Sequence, residues 1–261
     1  MLVTGGTGFL GRHLTGTDAS RGWEIYAPGS RSMDIRDDRQ VLDEITDWRP
    51  SVVVHLAHRK DDRKAIVDGT AAVAAAAARA KARLVHMSTD VVFRGGAHSY
   101  NERDLTSPIT DYGAWKAKAE ELALASQDDV LVVRTSLLYG TSTIAQIQHD
   151  VAAAVRGTRP MRFFTDEIRC PAHARDVADA IAIVAGRRDL TGVLHVAGPQ
   201  AVTRAELARR FARWMGLDPD RVPVGTRSDS PVPRAGRVVL DCERAAELGL
   251  RCRSLDEVLG S

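Results

Sequence analysis

At 261 residues the chain has room for one large α/β domain, or for a domain with a small lobe. Its 36 basic and 34 acidic residues leave a net charge of +2, with 44% hydrophobic residues, and that balance gives no support for a nucleic-acid partner. No apolar run reaches membrane-spanning length and no charged-then-apolar leader precedes the first strand. Cys170, Cys242 and Cys252 lack metal-ligand or disulfide-framework spacing, so a cytoplasmic protein with no metal site is expected.

Met1 to Thr4 reads as a strand running into a glycine turn, and Phe9 to Thr15 as a helix start. Glu24 to Ala27 is expected as a second strand, ended by Pro28-Gly29. Val41 to Trp48 forms a short amphipathic helix, stopped before Pro50. Val52 to Leu56 is a β-branched run of the kind found in buried parallel strands. Lys64 to Ala82 is a long Ala-rich helix whose small side chains let it lie close on a sheet. Arg83 to Met87 is a strand, Gly113 to Ala125 a helix and Val130 to Thr135 a further strand. The alternation predicts an α/β fold: a doubly wound parallel sheet with helices on both faces. Ile144 to Arg156 and Ala174 to Ala185 read as helices, and Val193 to Val196 as a strand. Thr203 with Glu206 forms a capping box opening a helix to Met215. Leu217 to Arg237 is irregular surface, followed by Val238-Val239-Leu240 and a final helix. The whole chain is read as one domain. Its dinucleotide-binding core takes in about residues 1–139, 171–196 and 237–242, and its substrate lobe about residues 140–170 and 197–236.

Within Thr4-Gly5-Gly6-Thr7-Gly8-Phe9-Leu10-Gly11, the spacing is Gly-x-x-Gly-x-x-Gly. Gly5 permits a tight turn, Gly8 lets the backbone approach a phosphate, and Gly11 lets the helix pack on the sheet. Amides at the helix start then face a pyrophosphate, with Thr7, Phe9 and Leu10 in the same loop. Folds that prefer NAD carry an acid after the second strand. Here Ala27-Pro28-Gly29-Ser30-Arg31 has none, and Arg31, beside Ser30, suits a 2′-phosphate. NADPH is therefore expected, with NADH left open. Asp34 and Ile35 border the adenine, or Asp34 caps a helix.

Tyr112 and Lys116 lie one helical turn apart and share a face. An ammonium beside the phenol stabilises the phenolate and lowers its pKa, so the phenol exchanges a proton with an alkoxide. Lys116 also suits a nicotinamide ribose. A hydroxyl from Thr89 or Ser88, at the end of the preceding strand, bonds the substrate carbonyl oxygen.

These residues resemble the extended short-chain dehydrogenase/reductase family and, within it, the dTDP-4-dehydrorhamnose reductase branch. The likeness rests on Ser88-Thr89-Asp90-Val91-Val92-Phe93-Arg94-Gly95, on Tyr100-Asn101-Glu102-Arg103-Asp104 with Ser107-Pro108, and on Tyr112-Gly113-Ala114-Trp115-Lys116. Arg134 to Gly140, Pro171, Asp176-Val177-Ala178, Pro233-Arg234 and Leu240-Asp241 extend it over nearly the whole chain. The resemblance implies a Rossmann-type fold and NAD(P)H-dependent reduction of a keto group on a nucleotide-activated deoxysugar. Thr89 would supply the hydroxyl, Tyr112 the proton and Lys116 its partner. Leu56, Ala57, His58, Ser88 and Thr135 would border the cofactor, and Val91 and Phe93 the sugar; Arg169 and Arg234 would be candidates for the diphosphate of a nucleotide-sugar substrate. Val91 follows Asp90 where dehydratases carry a second acid, which argues against elimination. Asp68 replaces a customary Asn, so a proton relay through Asp68 or His58 is an open alternative. A sugar-nucleotide epimerase with retained NAD, a non-catalytic dinucleotide-binding subunit and a homodimer also stay open.

Overall fold

The computed structural model describes residues 1–96 and 98–260. The chain runs β1 (Leu2–Thr4), α1 (Phe9–Thr15), α2 (Asp38–Trp48), β2 (Val52–His55), α3 (Gly69–Arg79), β3 (Arg83–Thr89), α4 (Asp111–Leu124) and β4 (Val130–Thr135). The second half contains β5 (Leu138–Tyr139), α5 (Gln146–Val155), β6 (Phe163–Phe164), β7 (Ile168–Arg169), β8 (Ala172–His173), α6 (Ala174–Ala185) and β9 (Gly192–His195). It ends with β10 (Val202–Thr203), α7 (Arg204–Trp214), β11 (Val224–Gly225), α8 (Glu243–Glu247) and α9 (Leu255–Leu259).

The central sheet is parallel, in the order β1-β2-β3-β4-β9. Segment 24–27 flanks β1 on the side away from β2, but only through a bridge at Tyr26, which donates to Met1 and accepts from Val3. The expected second strand is thus reduced to one bridging residue, because Pro28 removes a ladder donor immediately after it. Chain order reverses about β1, so its C-terminal end is a topological switch point, where open α/β sheets bind ligands.

Two apolar layers cover the sheet. One contains Val3, Val85 and Leu131 with Ile181 and Val184 of α6; the other contains Val53, Leu84 and Val132 with Val73 and Ala77 of α3. A separate cluster joins Val151 of α5 and Phe211 of α7 to Tyr139, Phe163 and Leu255. Leu255 belongs to α9, so the C-terminal helix packs on the segments read as the substrate lobe. The helix expected over residues 64–82 begins as a five-residue π-helix, Lys64–Asp68, and ends at Arg79, with Lys81 in the left-handed region at φ 56°. The irregular stretch 217–237 contains β11, paired with β6, and two short 3₁₀ turns. Thr203 Oγ1 accepts from the Glu206 amide at 3.0 Å, whereas the Glu206 carboxylate turns to Arg210; half of the expected capping box is made. Among the described residues, no helix is long and apolar enough to cross a membrane.

Candidate active site

The glycine turn sits at the switch point. Gly5 has φ 68°, and a Cβ there would lie 2.7 Å from the Ala57 amide nitrogen. A Cβ at Gly11 would lie 2.3 Å from the Gly5 carbonyl oxygen. The Ala57 amide donates to Thr4 Oγ1 and the Leu56 amide to the Thr4 carbonyl, fixing the loop after β2 against the turn. Thr7 is exposed at the tip of the turn, with its carbonyl accepting from Arg12, while Leu10 is buried and Phe9 half-buried.

After the 24–27 segment, Ser30 and Arg31 are exposed, and Arg31 has no ion-pair or hydrogen-bond partner among the described residues. Asp34 is held in a fork by Arg36, whose bonds bring the carboxyl to about 2. The cap of α2 is Asp37, which accepts from Arg39 and Gln40, so the alternative of Asp34 as a helix cap is corrected. Ile35 is buried against Gly69.

Thr110 Oγ1 caps α4 by accepting from Gly113 at 3.1 Å, which sets Tyr112 in the first turn and Lys116 one turn on. Lys116 is buried, and its Nζ donates to the Met87 carbonyl at 2.6 Å and meets His86 Nε2 at 3.2 Å. Burial lowers the Lys116 pKa to about 8, against the opposing charge of Glu120. The ammonium is thus held at the end of β3, and the expected lowering of the phenol by Lys116 is not what the structure gives. Burial first, and Asp90 second, raise the Tyr112 phenol above its ordinary value. The phenolic oxygen makes no hydrogen bond among the described residues, while His58 lies 6.3 Å from its ring and Lys60 Nζ 5.8 Å. Thr89 Oγ1 donates to Asp90 Oδ1 at 3.3 Å, and Ser136 donates to Asp90 Oδ2 at 2.6 Å. Asp90 is buried, and desolvation raises its pKa. Ser88 Oγ is buried without a partner.

Three expected site residues, Phe93, Arg169 and Asp68, have other partners. Phe93 is fully buried and stacks on Tyr100 at 4.1 Å, so its ring belongs to the core and not to a sugar pocket. Thr135 Oγ1 donates to the Val196 carbonyl at 2.7 Å and is thereby occupied. Arg169 is buried, with its donors on the Ile168, Ala235 and Gly236 carbonyls and its charge beside Asp90 and Glu167; it is structural and not a free anion ligand. Asp68 is exposed and pairs with Arg63, away from Lys116. Val91 remains half-buried beside Thr89.

Arg234 is half-buried, bonded to Ser230 and Glu167 and stacked over Phe164 at 4.8 Å. Two further cations outside the expected set, Lys60 and Arg204, act on each other and on it electrostatically. Arg204, at the start of α7, has no side-chain partner among the described residues, and burial lowers its pKa. Desolvation and then the charge of Arg204 lower the pKa of Lys60.

Comparison with known proteins follows this geometry. The family described as RmlD substrate binding domain matches residues 1–259. A dTDP-4-dehydrorhamnose reductase of Mycolicibacterium smegmatis is 29% identical, over 96% of this chain and 80% of the relative. The methionine adenosyltransferase 2 subunit beta of Bos taurus is 28% identical, over 97% of this chain and 84% of the relative. The crystal structure of the Bacillus anthracis dTDP-4-dehydrorhamnose reductase in complex with NADP has the same fold, with a TM-score of 0.85 at 24% identity, covering 99% of this chain and 96% of that one.

Proposed function

The chain belongs to the family of the RmlD substrate binding domain, and from that membership and the site geometry we propose an NADPH-dependent reductase of a keto group on a nucleotide-activated deoxysugar, with Tyr112 as proton donor. The observation that carries this reading is the run of contacts from a side-chain-excluding Gly5 turn, closed against Ala57, through His58 to the Tyr112 ring, with Lys116 bound to the Met87 carbonyl just before Thr89. The cradle at Gly5 and the unpartnered Ser88 Oγ fit a dinucleotide. Gly5, Gly8 and Gly11 would admit its pyrophosphate, Ala57 and Ser88 would border its nicotinamide half, and Arg31 would take the 2′-phosphate.

When bound, NADPH supplies a hydride to the carbonyl carbon. The Tyr112 phenol, kept protonated by burial, gives its proton to the carbonyl oxygen. The Thr89 hydroxyl, held near that end of β3 by a long bond to Asp90, orients the same oxygen. Lys116 has one N–H beyond its two fixed bonds, which serves a ribose hydroxyl or the phenolate left by proton transfer. Lys60, 5.8 Å from the Tyr112 ring, and Arg204 and Arg234, which act on it electrostatically, would suit a diphosphate. Val91, in place of a second acid, leaves elimination without its base.

A panel of nucleotide-linked 4-keto sugars tests this reading, with NADPH and NADH compared and Tyr112→Phe as control. Consumption of NADPH in step with one of these sugars supports it; no consumption with any of them overturns it. The likeness to a protein named as a subunit, the methionine adenosyltransferase 2 subunit beta, gives only weak support to a second reading, a non-catalytic dinucleotide-binding subunit. That reading gains if Tyr112→Phe preserves biological function.

A further inference from the structure

Behind Lys116 lies a column of buried imidazoles whose proton positions follow from their partners. The Ala57 amide donates to Thr4 Oγ1, so the Thr4 hydroxyl proton points to His55 Nδ1 at 2.7 Å. Thr70 Oγ1 donates to the Ile66 carbonyl at 2.6 Å, so it accepts from His55 Nε2 at 3.1 Å. His55 is therefore neutral, protonated on Nε2, with both nitrogens committed. Its ring stacks on His86 at 5.3 Å with an interplanar angle of 29°.

His86 is 1% exposed, and its Nε2 faces the Lys116 ammonium at 3.2 Å. An ammonium only donates, so Nε2 must carry a lone pair and the ring proton must sit on Nδ1. Nδ1 is buried and has no partner. An apolar residue would fill this place in β3 without an orphaned donor, so packing alone gives no reason for an imidazole. The other nitrogen does, since it faces the ammonium.

We infer that His86 is a positioning residue for Lys116: its neutral imidazole accepts from Nζ and, with the Met87 carbonyl, pins the ammonium at the end of β3, one helical turn from Tyr112. The inference deepens the proposed function and rests on it for its meaning, but not for its test. The other titratable groups facing Lys116 are limited. His55 stands behind His86 on β2, and His58 follows β2. On α4 itself, Tyr112 is one turn before and Glu120 one turn after, with the Glu120 carboxylate forked by Arg134 of β4. Among the described residues, the ammonium thus has two hydrogen-bond acceptors, and His86 is one of them.

The chain has five lysines, Lys60, Lys64, Lys81, Lys116 and Lys118, so ¹³C-labelled lysine gives a readable spectrum without any ligand. Lys116→Arg identifies the Lys116 signal by its loss. In the parent protein that signal should titrate near 8. His86→Leu removes the acceptor and should lower the Lys116 pKa by about one unit or more. His86→Gln places an amide oxygen near the position of Nε2 and should restore most of the shift. If His86→Leu fails to fold, the unbranched His86→Met takes its place. A Lys116 titration that stays at the parent value in the apolar variant, or that the Gln variant does not bring back, overturns the inference. Because no cofactor or substrate is present, a shifted titration in a protein with no reductase activity would sink the proposed function and leave the His86 assignment standing. An unmoved titration in an active reductase would do the reverse.

Discussion

The phenolic oxygen of Tyr112 makes no hydrogen bond among the described residues, so Tyr112→Phe removes an atom the fold does not use. The variant should keep the parent melting temperature and NADPH affinity while kcat falls about 10²–10⁴-fold, measured by calorimetry, cofactor titration and turnover. The pH dependence follows from Lys116. Its ammonium is present below about 8 and lost above, whereas the phenol is raised and stays protonated through that range. kcat/KM should therefore be level below about pH 8 and decline above it; a pH–rate profile checks this, and Lys116→Met should abolish the break. Arg31→Asp should reverse the preference for NADPH over NADH, read from the ratio of kcat/KM for the two cofactors, because an acid there repels a 2′-phosphate and accepts from a 2′-hydroxyl. Thr89, Tyr112 and Lys116 could be proposed from the sequence because they belong to a recognisable motif; the surroundings of Lys60, Arg204 and His86 could not, because they are built from residues far away in the chain. Phe93 misled for the opposite reason: it adjoins the motif, but its side chain turns into the core.

Helix α4 is tied to the sheet by Glu120 and Arg134, a forked pair with side chains 3% and 5% exposed. Removing one partner leaves a buried charge alone, so Glu120→Ala should lower the unfolding free energy by about 3–5 kcal/mol, checked by chemical denaturation. Gly11→Ala pushes a Cβ into the Gly5 carbonyl, so it should both lower stability by about 1–3 kcal/mol and weaken NADPH binding, since the same carbonyl shapes the turn. Most elements were readable from periodicity: β1, α1, β4 and α6 fall where the pattern sets them. The misreadings have local causes. Segment 24–27 is too short, and too close to Pro28, to form a ladder. Residues 64–68 wind more widely than an α-helix, a choice that composition does not encode.

Across the molecule, the end of β3 is joined to the lobe by a buried alternation of charges. Asp90 meets Arg169 at 3.6 Å, Arg169 meets Glu167 at 3.4 Å, and Glu167 meets Arg234 at 3.3 Å. This ladder explains why Arg169, which the sequence offers as an anion ligand, is instead structural, while Arg204, beside Glu167, makes no side-chain ion pair among the described residues. The family and the parallel sheet were legible because motifs and strands are local; the ladder was not, because it forms only when β7 and the segment around Arg234 close on β3. The central claim, a protonated Tyr112 acting beside a bound dihydronicotinamide, is tested most directly by single-turnover oxidation of NADPH. The protein is mixed with a dTDP-4-keto-6-deoxy sugar, and the parent is compared with Tyr112→Phe at equal cofactor saturation. One equivalent of NADPH oxidised by the parent, and a rate at least about 100-fold slower in the variant, is the expected result. Equal rates in the two proteins would contradict it.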